Sequence, residues 1–402
     1  MKKILAFILV FLCAFGLIGC SQKAGPESDK AEVETVEGAD AYKIGVIVYN
    51  LSDEEVLAFR SYLEDYIAEV FPGITFVYSE SISNEEQELA FIKEACEEGV
   101  SGFLSFLSQD LKKEVELCSQ NKVYYMLASG SVSDEDFAAV EDNPYFIGAV
   151  GPGNDLEYNA GYDMAGYFLT EQFGNDYFIL SGGAGYGNEM HLQRTIGILD
   201  RLQEDGAKFD QPSETIALSQ EPVHISAGDL KVCVVPGYIS RDEFYETARK
   251  EYNENPYSVV LSVLPIAKMA DDIQGSHLGV VDCYSTTNLQ LFNSGLLRYV
   301  AGKYSSIIGP SFAAMYNAVT GYAQDFRENG KAFRITQGFW YSADLDDYID
   351  KYTMANSVVK NAYNYEDLGK VCKVFNPDAT LEDLQNLANA YSYDEALERR
   401  GE

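Results

Sequence analysis

Glycines, histidines and paired carboxylates are the residues of this chain whose spacing invites a chemical reading. The run Gly182-Gly183-Ala184-Gly185-Tyr186-Gly187 stands before a helix-like stretch, where glycine-rich loops can cradle phosphate. It lacks the Lys-Ser/Thr of a P-loop, and its glycines do not follow G-x-G-x-x-G. A sharp turn is the simpler reading. His191, His224 and His277 show no i, i+4 pairing, so no zinc site is expected. There is no G-x-S-x-G, and no Ser or Cys stands with a His in a catalytic context. Asp271-Asp272 and Asp346-Asp347 could serve acid–base chemistry. Yet 63 Asp and Glu face only 29 Lys and Arg across 402 residues, so such pairs read as solvated faces. From these residues no catalytic set, metal site or cofactor site is expected.

The N-terminus sets the compartment. Lys2 and Lys3 precede a short apolar run ending in Leu17-Ile18-Gly19-Cys20, too short for a membrane span and built like an export signal over residues 1–19. The last four residues resemble the lipobox of bacterial lipoproteins, in which the cysteine is lipidated and begins the mature chain. Cys20 is thus the expected lipid anchor. Residues 20–41 are polar and acidic, and read as a flexible tether. The formal net charge is −34, and two units more negative without Lys2 and Lys3. Such a surface repels nucleic acid and anionic headgroups, so membrane contact is expected through the lipid alone. The remaining cysteines, Cys96, Cys118, Cys233, Cys283 and Cys372, are odd in number with no C-x-x-C, which argues against a disulfide framework.

Beyond the tether, strand-like and helix-like segments alternate. KIGVIVY at 43–49 has the β-branched run of a strand buried on both faces. Further strands are expected at 74–78, 103–107, 123–128 and 145–150, then at 177–180, 215–218, 232–235, 258–263 and 278–282. Helices fall between them, with capping boxes read at Ser52–Glu55, Ser83–Glu86 and Ser240–Glu243. The helix at 156–173 carries Ala160, Gly161, Ala165 and Gly166, small residues suited to close packing on a sheet. Two strand–helix series predict an α/β fold of two doubly wound parallel-sheet lobes. Residues 346–351 and 380–390 continue the chain as helices, with a turn at Asn376-Pro377-Asp378.

Four segments give this pattern a resemblance to the type I periplasmic-binding-protein family, the sugar-binding-like solute receptors of ABC transporters. They are KIGVIVYN, NAGYDMAGYFL, the stretch from Tyr177 to Gly206, and GKYSSIIGPSFAAMYNAVTGY. The resemblance implies a hinge of three crossings, near Gly151-Pro152-Gly153, Lys303 and Ile335. It divides the chain into an N-terminal lobe of 42–152 and 304–334 and a C-terminal lobe of 153–303 and 335–402. The extension past about residue 344 is expected to pack on the C-terminal lobe.

By that resemblance, ligand binds between the lobes at the carboxyl ends of the strands, a position that α/β geometry also favours. Tyr49, Asn50, Ser129, Asp282, Tyr284 and Lys303 are the expected ligand contacts. The ligand would be a small polar solute, a sugar or sugar-like, polyhydroxylated or zwitterionic. The expected partner is an ABC permease or a membrane sensor kinase, and the protein is expected to be a monomer. An exported enzyme is the alternative from another class. Departures weaken the sugar assignment: Leu51–Val56 replaces an aromatic motif, Ser129-Gly130 replaces Asp-Arg, Met190, His191 and Leu192 stand where an Arg is usual, and Lys303 replaces Gln. Arg194 could touch ligand or pair with a carboxylate. Trp340 could be a hinge plug or a stacking platform.

Overall fold

A computed structural model describes residues 41–238 and 241–401. The signal, Cys20, the tether up to residue 40 and Ser240 of the third capping box lie outside the described residues. Among the described residues, thirteen strands form two sheets. In chain order they are β1 Tyr42–Ile47, β2 Ile74–Tyr78, β3 Gly102–Ser105, β4 Tyr124–Ala128, β5 Phe146–Gly151, β6 Asp176–Gly182, β7 Val223–Ala227, β8 Leu230–Pro236, β9 Val259–Ser262, β10 His277–Cys283, β11 Leu297–Lys303, β12 Phe333–Thr336 and β13 Trp340–Ser342.

The first sheet runs β12-β5-β4-β3-β1-β2 and is parallel throughout. The second runs β13-β11-β10-β9-β6-β8-β7, parallel inside with antiparallel edges at β13 and β7. Parallel strands joined by helices bury both faces. Ile44 and Val46 of β1 enter one core and Ile47, between their directions, the other. No helix among the described residues is long and apolar enough to cross a membrane.

Several elements depart from the sequence expectation. Residues 215–218 are not a strand: Ser213–Ala217 is a short helix. The unexpected strand β7 pairs instead with β8 through the turn at Gly228-Asp229. Two helix starts slip by one residue. Asn50 Oδ1 takes the N–H and hydroxyl of Ser52, so Asp53 becomes the cap and accepts from the Glu55 amide. Ser83 binds the Gln87 side chain, leaving Asn84 to cap. Reciprocal capping boxes occur at Asn364, Thr380 and Ser392 instead. Gly161 faces a helix rather than the sheet: a Cβ there would lie 1.9 Å from the Arg194 carbonyl oxygen, and one at Gly197 2.1 Å from that of Tyr158. The helices Asn154–Thr170 and Glu189–Glu204 touch backbone to backbone only because both positions are glycine.

The third passage between sheets falls later than expected. Ile335 pairs with Val150 and Thr336 with Gly151 in the first sheet, and the Gln337 amide still donates to the Gly151 carbonyl. The chain enters the second sheet only at β13.

The C-terminal extension does not settle on the second sheet alone. Helix Leu345–Ala355 does so, with Tyr348 stacked on Tyr284 at 5.0 Å. Later residues cover Gly309–Asn317, a helix that lies on the first sheet and is buried along its whole length. Phe375 stacks on Tyr316, Tyr365 meets Phe71 edge-on, and Asn317 donates to the Val371 carbonyl. A helix buried on every side needs cover on its outer side, and the extension supplies it. Leu384, fully buried in helix Leu381–Asn389, is part of that cover. Leu384→Ala should therefore cost about 2–5 kcal/mol in urea denaturation. Val359→Ala, at a residue 84% exposed, should change stability by less than about 0.5 kcal/mol. A wild-type midpoint for Leu384→Ala would show that the extension stands outside the cooperative unit.

Candidate functional site

The carboxyl ends of the two sheets meet around one lysine. Lys303, the last residue of β11, is 5% exposed. Its Nζ donates to the Ser129 carbonyl oxygen at 2.8 Å and to Glu55 Oε1 at 3.3 Å. Both acceptors belong to the first sheet's side: Ser129 follows β4, and Glu55 sits in the first turn of helix Glu54–Ser61. Ser129 has φ +64°, a left-handed backbone uncommon outside glycine. Its amide is tied to Val150 and its carbonyl to Lys303, which hold it there. The Ser129 hydroxyl is enclosed without a protein partner among the described residues. An enclosed hydroxyl in that state is costly unless water or ligand engages it.

Asp282, at the end of β10, comes to the same place. Its Oδ2 accepts from Asn288 Nδ2 at 2.8 Å. Burial, and beyond it the negative charges of Asp53 and Glu55, push its carboxyl up to about 7. Burial and Glu55 likewise raise Asp53 to about 6. The Tyr49 hydroxyl donates to Asp53 at 3.2 Å, and burial next to these two carboxylates raises its phenol well above the ordinary range. Three carboxylates and one ammonium thus share the seam, an arrangement matched to hydroxyl or amine donors.

Of the six expected contacts, Tyr49, Ser129, Asp282 and Lys303 are brought together. Asn50 lies half-buried beside them, its amide oxygen occupied by Ser52. Tyr284 is not brought to the seam. It is 2% exposed, with its ring against Tyr348 and its hydroxyl against Ser342 at 2.9 Å, so it packs beneath the site. Asp53, Glu55 and Asn288 were not expected. The signal available was the Asp-Glu-Glu run directly after the first strand, which reads equally well as a helix cap.

The neighbouring motifs are structural. Arg194 is buried and donates to Glu157 at 2.5 Å and to the Val263 carbonyl at 2.8 Å, with Phe339 against its guanidinium. Burial and the Arg194 charge push His191 down to about 3. The neutral ring accepts the Gly183 amide on Nδ1, so the glycine turn is pinned to its own helix. Trp340 stacks on Tyr304 at 3.8 Å and donates to the Tyr391 carbonyl, which makes it a plug.

A buried carboxyl pair supports the first sheet's end of the seam. Glu114 accepts the amides of Gln109 and Asp110 and the hydroxyls of Ser108 and Tyr125, all at 2.7–2.9 Å. Glu88 also accepts from Gln109. These bonds fix the loop after β3. Burial, reinforced by the charge of Glu114, holds Glu88 protonated well above the usual carboxyl range.

No protein-family profile matches the chain, and no curated protein sequence matches it. Solved structures do. An ABC transporter periplasmic solute-binding protein from Actinobacillus succinogenes 130z with bound D-allose superposes with a TM-score of 0.57 at 12% identity, over 77% of this chain and 99% of that one. A solute-binding protein from Bacillus halodurans C-125 with bound myo-inositol gives 0.54 at 13%, over 79% and 99%. The arabinose-transporter component from Shewanella sp. ANA-3 gives 0.53 at 12%, over 77% and 94%. The fold is that of the periplasmic solute-binding proteins. The two sheets fit the two lobes of the type I periplasmic-binding-protein fold that the four sequence segments resemble.

The carboxyl pair makes a pH prediction. A group whose carboxyl is raised in the folded state contributes stability that is complete below its unfolded range and lost as pH rises through its folded one. Glu88→Gln keeps an N–H donor but cannot ionise. Relative to wild type it should gain about 1–3 kcal/mol between roughly pH 4 and pH 9 in denaturant titrations. A difference that stays flat with pH would mean Glu88 is not held protonated.

Proposed function

We propose that the protein is a lipid-anchored extracytoplasmic solute-binding protein. It captures a small polar solute, sugar or sugar-like, between its two sheets for uptake through an ABC permease. The reading is binding, not turnover. The observation that carries it is the seam itself: Lys303 of one sheet engages Ser129 and Glu55 of the other beside Asp282. Opposite charges with an enclosed hydroxyl suit a polyhydroxylated or zwitterionic solute better than an apolar one. The fold supports the same reading, because the structurally similar proteins from Actinobacillus succinogenes and Bacillus halodurans hold D-allose and myo-inositol. The two sheets would move about the chain passages near Gly151–Gly153, Lys303 and Gln337, closing on ligand.

A thermal-shift screen of sugars, polyols, nucleosides and amino-acid-like solutes tests the proposal, since a ligand of the folded state raises the melting temperature. With a ligand in hand, Asp282→Asn and Lys303→Met should each cost about 2–5 kcal/mol of binding by calorimetry, because their partners are left unpaired. Unchanged affinity in both variants would remove this site. Turnover of the solute by the purified protein would overturn the binding reading altogether.

Anchoring is tested separately. Cys20→Ala should release the protein from the membrane fraction and abolish metabolic labelling by fatty acid. Labelling that persists in the variant would move the anchor elsewhere or remove it.

A further inference from the structure

Far from the seam, the edge of the second sheet gathers three side chains of different chemistry. β7 and β8 are antiparallel, and His224 stands directly opposite Cys233 in their register. Directly opposed residues of such a pair project from the same face. Helix Asp242–Glu254 packs over that face and brings Glu251. The His224, Cys233 and Glu251 ligand atoms lie within 4.8 Å of one another. Their order in the sequence hides this, because none is at a spacing that marks a metal motif. The hairpin and the helix create the cluster.

We propose that His224, Cys233 and Glu251 form a site for a zinc-class divalent transition metal. Thiolate, imidazole and carboxylate are the three protein ligands zinc accepts, in a tetrahedral set whose fourth position is left to water. A sulfur ligand disfavours calcium and magnesium, which take oxygen. The geometry supplies the second argument. His224 Nε2 and Glu251 Oε2 face each other at 3.0 Å. Without metal an Nε2–H hydrogen bond spans that distance, and a metal would enter in place of that hydrogen. The burial pattern supplies a third. Glu251 and Cys233 are buried while His224 is exposed, so the site has two enclosed ligands and a wet entrance. Lys250 Nζ lies 3.4 Å from the other Glu251 oxygen. Its side chain is mostly in solvent and can turn away.

Binding must displace a proton. Cys233 is fully buried with Tyr257 as its polar neighbour, and zinc-class metals bind sulfur as thiolate. On binding, the thiol proton leaves to solvent as the metal–sulfur bond forms, and His224 presents Nε2 as the Nδ1–H tautomer. The metal would then clasp the edge strand, its neighbour and the covering helix together.

Cobalt(II) titration of the reduced, purified full chain provides the test. One equivalent should bind with a near-ultraviolet thiolate-to-cobalt band, bleached by zinc. Cys233→Ala should abolish the band. His224→Ala, at an exposed position that leaves the core intact, should weaken binding at least about tenfold, and Glu251→Gln should act in the same direction. Zinc should raise the melting temperature of wild type but not of His224→Ala. The proposal fails if no thiolate band forms, if the band survives Cys233→Ala, or if His224→Ala binds as wild type does. The last result would leave a plain His–Glu pair beside a core thiol.

Discussion

One ammonium group joins the two sheets. Lys303 Nζ leaves the end of β11 and finds its acceptors on the far side, a backbone carbonyl and a carboxylate. Burying a charge is unfavourable by several kcal/mol unless hydrogen bonds replace its water. The partners therefore have to be positioned in advance. Ser129 is held left-handed by its neighbours so that its carbonyl points at the lysine. Glu55 is fixed by a helix start whose cap, Asp53, is itself bonded to Tyr49. The loops, caps and strand ends around the seam all serve that one contact.

Electrostatics at the seam run against the protein's own composition. Three of its many acids converge there, and one cation cannot neutralise them. Burial first, and that excess of negative charge after it, raise Asp53 to about 6 and Asp282 to about 7. A donor-rich solute, bound there as proposed, would relieve the same excess of negative charge that a bound proton does. Acidity elsewhere on the surface is solvated and carries no such consequence.

Much of the framework was legible in the sequence because parallel strands buried on both faces leave β-branched runs, as in KIGVIVY and LGVVD. Apart from β11, Leu297–Lys303, whose run is broken by Arg298 and Gly302, what escaped was half-exposed or short. Strand β7, Val-His-Ile-Ser-Ala, is an edge strand with a mixed pattern, while Ser213–Ala217 is too brief for a helical period to show. Asp282 could be read as a site residue because it lies at the end of an apolar strand, and Lys303 because the resemblance places a crossing there. Tyr284 could not be placed, since it lies one residue past the strand, where alternation no longer fixes direction. Asp53 and Glu55 were masked by their own plausibility as a cap. The extension was legible as helices, but its destination depends on which buried helix lacks a neighbour, and that is a property of the assembled fold.

The wiring of that extension also bears on time. The hydroxyl of Tyr62 is satisfied by the carbonyl of Tyr363, 301 residues later, and β5 gains its outer neighbour only when β12 has been made. Contacts of such long range require large loops to close before they stabilise anything, so folding is slow. The first sheet's apolar cover arrives with the last helices of the chain. Until then Phe71, Phe312 and Tyr316 have no lid. If the chain is exported as proposed, the late arrival of its own C-terminus would delay closure of the first sheet until after passage.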